Sequence, residues 1–418
     1  MSTLLIEGGR RLSGAVHVEG NKNAALPLLA ACLLTSDECI LHNVPRISDV
    51  DVMVRLLVEL GAQVERTGVT TLRVHCPRVV KDEPDTALVG SLRGSVLLLG
   101  PLLARRGRAR LAPPGGDFPA RRTIATHLEA LAAMGATLLD GPHHELEAPA
   151  GLKPASIYLY EASVTGTETA LLAAAAASGL SEIRHAACEP HVVELCAFLS
   201  KMGAGITGAG TSTIRVEGLA RLRGAEHTLR GDYIEAGSWA VVAAVTGGEV
   251  DITGARAADL EVVAAVLKRL NVDCCMDGDV FRVRRSTPRA AGRITTGLWP
   301  GFPSDLVSLV TVLATQADGR TLVHDWMYEL RLFALEQLSG MRADLFLCDP
   351  HRIIVTGPRK LRGRPLDSRD LRSGMALIAA ALAADGESQL APLETVERGY
   401  GTLVERLRSL GAEVLKQD

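Results

Sequence analysis

Residues Ser163–Ser178 read SVTGTETALLAAAAAS. From Ala170 to Ala177 this stretch is small and apolar on every side, leaving no polar face for water. A helix of that composition has to be buried from several directions at once. It therefore predicts a core helix wrapped by other elements. Five more stretches of the same kind occur: NAALPLLAACLL from Asn23, RGSVLLLGPLLA from Arg93, EAGSWAVVAAVT from Glu235, DLVSLVTVLATQ from Asp305 and RSGMALIAAALA from Arg372. They follow one another at intervals of about seventy residues, a self-similarity that marks a repeated architecture.

A second series alternates with the first. It consists of LGAQVE from Leu60, MGATLL from Met134, MGAGI from Met202, LNVDCC from Leu270, MRADLFL from Met341 and LGAEVL from Leu410. Each phrase ends an amphipathic stretch, such as Asp49–Glu59 or Glu189–Lys201, and leads into a strand-like run. That order reads as helix, helix-ending turn, strand. The predicted unit is strand, buried Ala-rich helix, strands, amphipathic helix, strand, repeated six times in an α/β chain. Six units of this size suit two domains of three better than one open array.

The 418 residues carry a net charge of −3 and only 3% aromatic residues, with 47% hydrophobic. That balance excludes a disordered chain and a generally basic nucleic-acid binder. The eight cysteines show no C-x-x-C spacing, so they predict buried, reduced thiols in a cytoplasmic protein and no metal site. No charged-then-apolar leader and no long apolar run predicts secretion or a membrane span. Gly203–Gly208, GAGITG, follows a helix and precedes a strand, the reverse of a dinucleotide-binding context, and is read as a turn. His143 and His144 are read as a solvated loop.

Chemistry concentrates where the Ala-rich helices open. Asp, Ser and Thr at Asp232, Asp305, Asp370, Ser163, Thr165 and Thr167 have an ordinary explanation as helix N-caps. Lys22, Arg93 and Arg372 do not, because a cation opposes the helix dipole at that end. They point to an external anion, gathered in a cleft between the two domains. Pro113–His127, PPGGDFPARRTIATH, adds a proline- and glycine-rich loop over 113–119 that carries Asp117 and Arg122 to a helix starting near Thr123. It is read as a lid. Glu394–Tyr400, ETVERGY, places Arg398 just before the last amphipathic helix.

With these residues assembled, the chain resembles the enolpyruvyl transferase family over essentially its whole length. The specific stretches are GNKNAALPLLAACLL from Gly20, LRGSVLLLGPLLAR from Leu92, PGGD from Pro114, SVTGTETALLAAA from Ser163, DYIEAGS from Asp232, WPGFPSDL from Trp299, CDPHR from Cys348 and RGY from Arg398. The resemblance implies a two-domain inside-out α/β barrel of six βαβαββ repeats, with the active site in the cleft. One domain would span 22–229 and the other 1–21 with 230–418. It implies transfer of the enolpyruvyl group of phosphoenolpyruvate to the 3-hydroxyl of UDP-N-acetylglucosamine, with release of phosphate and without metal or organic cofactor.

The implied roles fall on matching positions. Lys22, Arg122 and Arg398 would hold the phosphate of phosphoenolpyruvate, while Arg331 and Arg372 grip its carboxylate side and Arg93 lines the pocket. Asn23, Arg122, His127, Ser163, Val164, Thr165, Asp305 and Met327 would contact the acceptor, and Glu329 and Asp370 would support the arginines. Asp117 stands where many members have cysteine and would act as the acid at C3, with Asp305 as the base for the hydroxyl. A carboxylate is a poorer nucleophile than a thiolate, so Asp117 implies resistance to the epoxide fosfomycin. The sequence departs from the family pattern at Phe118–Thr123, FPARRT, and at Ala125, Leu330 and Ser304. Those departures leave the phosphoenolpyruvate half intact. They keep open an alternative acceptor, such as the 3′-hydroxyl of a uridine nucleotide, and a non-catalytic anion-binding relative.

Overall fold

The structure is a computed structural model and describes residues 2–116, 123–329 and 331–417. Asp117, Arg122 and Leu330 lie outside the described residues. The chain divides into two units, residues 20–230 and residues 1–19 with 231–418.

In the 20–230 unit three helices are enclosed: α1 (Lys22–Ala31), α2 (Leu99–Arg106) and α3 (Val164–Ala175). In the other unit the enclosed helices are α4 (Tyr233–Val245), α5 (Val307–Gln316) and α6 (Leu371–Ala383). All thirteen residues of α4 are buried, as its lack of a polar face requires. Small residues let the backbones approach. A Cβ on Gly100 would stand 3.3 Å from the Thr169 carbonyl oxygen of α3, and one on Gly237 would meet Leu306 at 2.6 Å. Each unit has its own apolar core around its three helices.

Sheets cover the helices. In the 20–230 unit, Glu226–Thr228 pairs parallel with Glu38–His42, which continues antiparallel through Leu72–His75 to Gln63–Arg66. A second sheet has Ser156–Tyr158 parallel to Gly179–Arg184, with α3 making the crossover between them. The other unit repeats the pattern three times, for example Ser13–His17 parallel to Glu249–Thr253. Parallel neighbours need such a helical crossover. Of the antiparallel pairs, Gln63–Arg66 with Leu72–His75 is a hairpin, whereas Glu38–His42 reaches Leu72–His75 through the amphipathic helix Ser48–Glu59. The third sheet of the 20–230 unit has three strands, Arg108–Leu111, His144–Glu147 and Thr137–Leu139. There the Arg110 amide donates to the Asp82 carbonyl instead of to a fourth strand. The sheets remain separate, and no closed barrel forms among the described residues.

The strands that pair with the first α/β crossover of each unit come from remote sequence. The chain leaves one unit after Ser13–His17 and returns after Glu226–Thr228. Glycine is required at both passages: a Cβ on Gly20 would lie 1.8 Å from the Asn43 carbonyl oxygen, and one on Gly231 would lie 2.1 Å from that of Gly254.

Local expectations meet the structure with some corrections. The amphipathic helices run Ser48–Glu59 and Pro190–Lys201. The stretch from Arg93 opens as a 3₁₀ segment, Arg93–Leu98, and the α-helix proper starts at Leu99. Pro101 cannot donate to the carbonyl four residues back, so it fits only in a first turn. Gly203–Gly208 is not a simple turn: glycines at positive φ flank a short strand, Gly205–Thr207. His144 is not solvated loop but the first residue of a strand, where burial lowers its pKa. The thiols are not all buried, since Cys275 and Cys348 are exposed. Cys275 lies in a strand whose neighbour Cys274 faces the core, and alternation turns it outward.

Candidate functional site

In the 20–230 unit, α1 starts at an Asn21 cap whose side chain accepts from the Ala24 amide at 3.1 Å. Lys22 and Asn23 are therefore in the first turn, both half-buried. Lys22 Nζ lies 2.7 Å from the carboxylate of Asp49, a buried residue in the first turn of Ser48–Glu59. Asp49 carries no motif. Its signal is burial, which only the tertiary structure shows.

Two further groups belong to the same unit. Arg93 donates from Nη2 to the Thr123 carbonyl at 2.7 Å, and the Gly115 amide donates to Val89 at 3.2 Å. The 89–93 segment thus anchors described residues on both sides of 117–122. Ser163 caps α3 by accepting from the Gly166 amide at 3.1 Å, with Val164 and Thr165 half-buried behind it. The buried His127, in the helix Ala125–Ala133, has Nε2 2.8 Å from the Thr165 hydroxyl. One turn further, Glu168 is buried, and burial with the nearby Glu189 charge raises its pKa well above the usual carboxylate range.

In the other unit the groups form one connected network. Asp305 occupies the 3₁₀ turn Ser304–Leu306 that leads into α5. Its Oδ1 accepts from Arg331 Nη1 at 3.1 Å and its Oδ2 from Arg372 Nη2 at 2.8 Å. Arg331 Nη1 also donates to the Ser304 hydroxyl at 2.8 Å, and that hydroxyl donates to Asp325 Oδ2 at 2.6 Å. Asp325, fully buried, additionally accepts from the Thr296 hydroxyl at 2.8 Å and the Met327 amide at 3.2 Å. The Arg331 guanidinium lies 4.4 Å over the Tyr328 ring, a contact that suits its flat charged face.

Arg372 is held just as firmly. It leaves the first turn of α6, where Asp370 accepts from the amides of Arg372 and Ser373 at 2.9 Å each. Its Nη1 reaches the Tyr400 hydroxyl at 3.4 Å. Ser238 gives its only hydroxyl proton to the Ile234 carbonyl, so the 2.7 Å contact between Tyr400 and Ser238 is donated by Tyr400. Tyr400 arrives with the RGY turn because Gly399 permits close approach: a Cβ there would meet Leu371 at 2.6 Å. Arg398 follows the short helix Glu394–Glu397 and is half-buried. Glu329 is exposed, and the acid that engages Arg331 is Asp305. Burial favours a protonated Asp305, but Arg372 and Arg331 outweigh it and hold the carboxyl far below its ordinary value. The guanidinium of Arg372, despite burial, is held above its ordinary value, chiefly by Asp305.

The structure thus brings Asp305, Arg331, Arg372 and Asp370 together, and separately His127 with Thr165 and Ser163. Sequence reasoning missed Asp49, Asp325 and Ser238. Among the described residues no cluster of acid, histidine and cysteine could hold a metal ion, and no helix is long and apolar enough to cross a membrane. Chemically, one buried and one half-buried guanidinium facing one carboxylate form a site for a flat anion beside an ionised acid.

The chain matches the model of the EPSP synthase (3-phosphoshikimate 1-carboxyvinyltransferase) family over residues 6–407, and it belongs to that family of enolpyruvyl transferases. The UDP-N-acetylglucosamine 1-carboxyvinyltransferase of Treponema denticola is 40% identical, covering 99% of each chain. The protein of that name from Bradyrhizobium diazoefficiens is 41% identical, covering 98% of this chain and 97% of its own. Among solved structures, the enolpyruvyl transferase NikO from Streptomyces tendae matches with a TM-score of 0.89 at 27% identity, covering 100% of this chain and 99% of its own. EPSP synthase from Acinetobacter baumannii matches with a TM-score of 0.79 at 18% identity over the full length of both, a likeness of fold.

Proposed function

We propose that this chain transfers the enolpyruvyl group of phosphoenolpyruvate to the 3-hydroxyl of UDP-N-acetylglucosamine, with release of phosphate; its full-length relatives are named UDP-N-acetylglucosamine 1-carboxyvinyltransferase. This is the first committed step of peptidoglycan synthesis. The observation that carries it within this structure is the Arg331–Asp305–Arg372 network, which pairs a carboxylate-binding fork with an ionised acid. C3 of phosphoenolpyruvate takes a proton, the acceptor hydroxyl attacks C2, and a tetrahedral ketal forms. Loss of a C3 proton and of phosphate then leaves the enol ether. Asp117 is assigned the C3 proton and Asp305 the hydroxyl proton. For Asp117 that role requires a raised pKa with substrate bound, since an ionised carboxylate has no proton to give.

Lys22, Arg122 and Arg398 are assigned the phosphate, Arg331 and Arg372 the carboxylate, and Arg93 the wall of the same pocket. Asn23, His127, Ser163, Val164, Thr165 and Met327 are assigned the acceptor. Phosphate release in the presence of both substrates tests the proposal, and a folded protein that releases none refutes it. The departures at 118–125, together with the close structural match to NikO, favour including a second acceptor. Replacing UDP-N-acetylglucosamine by uridine 5′-monophosphate in the same assay decides which hydroxyl is used.

A further inference from the structure

The carboxylate bridging Arg331 and Arg372 is Asp305's own, and chemically it is the group those arginines would receive from a substrate. Its two oxygens are divided between the two guanidiniums, as the oxygens of a bound carboxylate would be. Each arginine has a second partner besides it. Arg331 keeps Ser304, itself fixed by Asp325, and Arg372 keeps Tyr400, itself fixed by Ser238. Nor does the backbone need it: Asp370 and Asp232 spend their carboxylates capping α6 and α4, whereas the turn at 304–306 has no side-chain cap from Pro303. Asp305 also has the most open side chain of the three, 25% exposed against 17% for Arg331 and 9% for Arg372.

The geometry points to Asp305 acting as an internal anion that occupies the carboxylate subsite of Arg331 and Arg372 until a substrate carboxylate displaces it, so that arrival of one substrate frees the base for the other. This rests on the reading of the site as a phosphoenolpyruvate site. Arg331 and Arg372 face Asp305 directly. Asp232 and Tyr400 act on it through Arg372, and Asp325 stands behind Ser304. While bridged, the carboxylate has little affinity for a proton. Once both guanidiniums turn to the substrate anion, burial acts without their opposition and that affinity rises. Asp305 can then take the proton of the acceptor hydroxyl as its oxygen bonds to C2. Premature deprotonation of an acceptor bound alone is thereby avoided.

Two measurements on the full chain test the exchange. In calorimetric titration with phosphoenolpyruvate, Asp305→Ala binds about tenfold tighter than the unaltered protein, because a competitor is gone. Equal or weaker binding would overturn the idea by making Asp305 a support that the arginines need. In the unaltered protein the Asp305 carboxyl carbon signal, assigned by its loss in Asp305→Asn, titrates about two pH units higher with saturating phosphoenolpyruvate than without it. An unmoved midpoint means the bridge persists and the idea is wrong. Phosphate release measured on the same protein separates the two readings. Turnover without these shifts removes the exchange alone, and both shifts without turnover remove the proposed function alone.

Discussion

The two units hold their charged groups in opposite ways. In residues 231–418 Asp305, Arg331, Arg372, Ser304, Asp325, Tyr400 and Ser238 are links of one hydrogen-bonded network. In residues 20–230 the same kind of group is placed by different elements: Lys22 lies on Asp49, Arg93 on the Thr123 carbonyl, His127 on Thr165. A network responds as a whole, because each link polarises and positions the next. What this teaches is that anion recognition by Arg331 and Arg372 is coupled through Asp305.

The largest expected effect lies with the acids. Asp117→Asn should abolish phosphate release while leaving phosphoenolpyruvate binding in place; near-normal turnover would move the acid role elsewhere. The same residue predicts that mass spectrometry finds no fosfomycin adduct on the loop at 113–127. Asp305→Asn should lower turnover by about 10²–10⁴-fold, the usual contribution of a positioned base, and a loss smaller than tenfold would deny it that role.

Stability sharpens the comparison next. Arg372→Ala strips the half-buried Asp305 carboxylate of a charged partner and should cost about 1–3 kcal/mol in urea unfolding. A cost under about 1 kcal/mol would mean that the network is slack. A double-mutant cycle on Arg331→Lys and Arg372→Lys, read by phosphoenolpyruvate affinity, should show coupling above about 0.5 kcal/mol. Additivity within that limit would deny the coupling through Asp305.

The smallest effect is the pH dependence, where the two units oppose each other. The folded pKa of Asp305 is depressed, so its contribution is present above the unfolded value near 3.9 and is lost as pH falls below it. That of Glu168 is raised, so its contribution is present below about 4.3 and is lost as pH rises. Glu168→Gln should therefore flatten the alkaline side of the stability profile of the 20–230 unit and leave the acid side unchanged. Amide exchange resolved by unit would read this.

Much of the fold was legible because its signals are local. An Ala-rich stretch with no polar face can only be a core helix, and six of them at even spacing fix the repeat. The site was partly legible for the same reason: Lys22, Arg93 and Arg372 stand at helix starts where a cation is out of place. Ser304 looked like a mere departure from the family pattern, yet its hydroxyl joins Arg331 to Asp325. Asp49 and Asp325 gave no sign at all, since each is an ordinary acid next to a regular element until folding buries it.

The sequence by itself determined which segments become buried helices and strands, because side-chain periodicity and capping act over a few residues. It also determined the inventory of cations and acids. The tertiary structure alone decided which acid neutralises which cation: Asp305 meets Arg331 across 26 positions and Arg372 across 67. The physical reason is range. Charge pairing and burial depend on distance through space, and no pattern along the chain encodes that the carboxylate opening one buried helix will lie in a fork made by an arginine of its own repeat and one of the next.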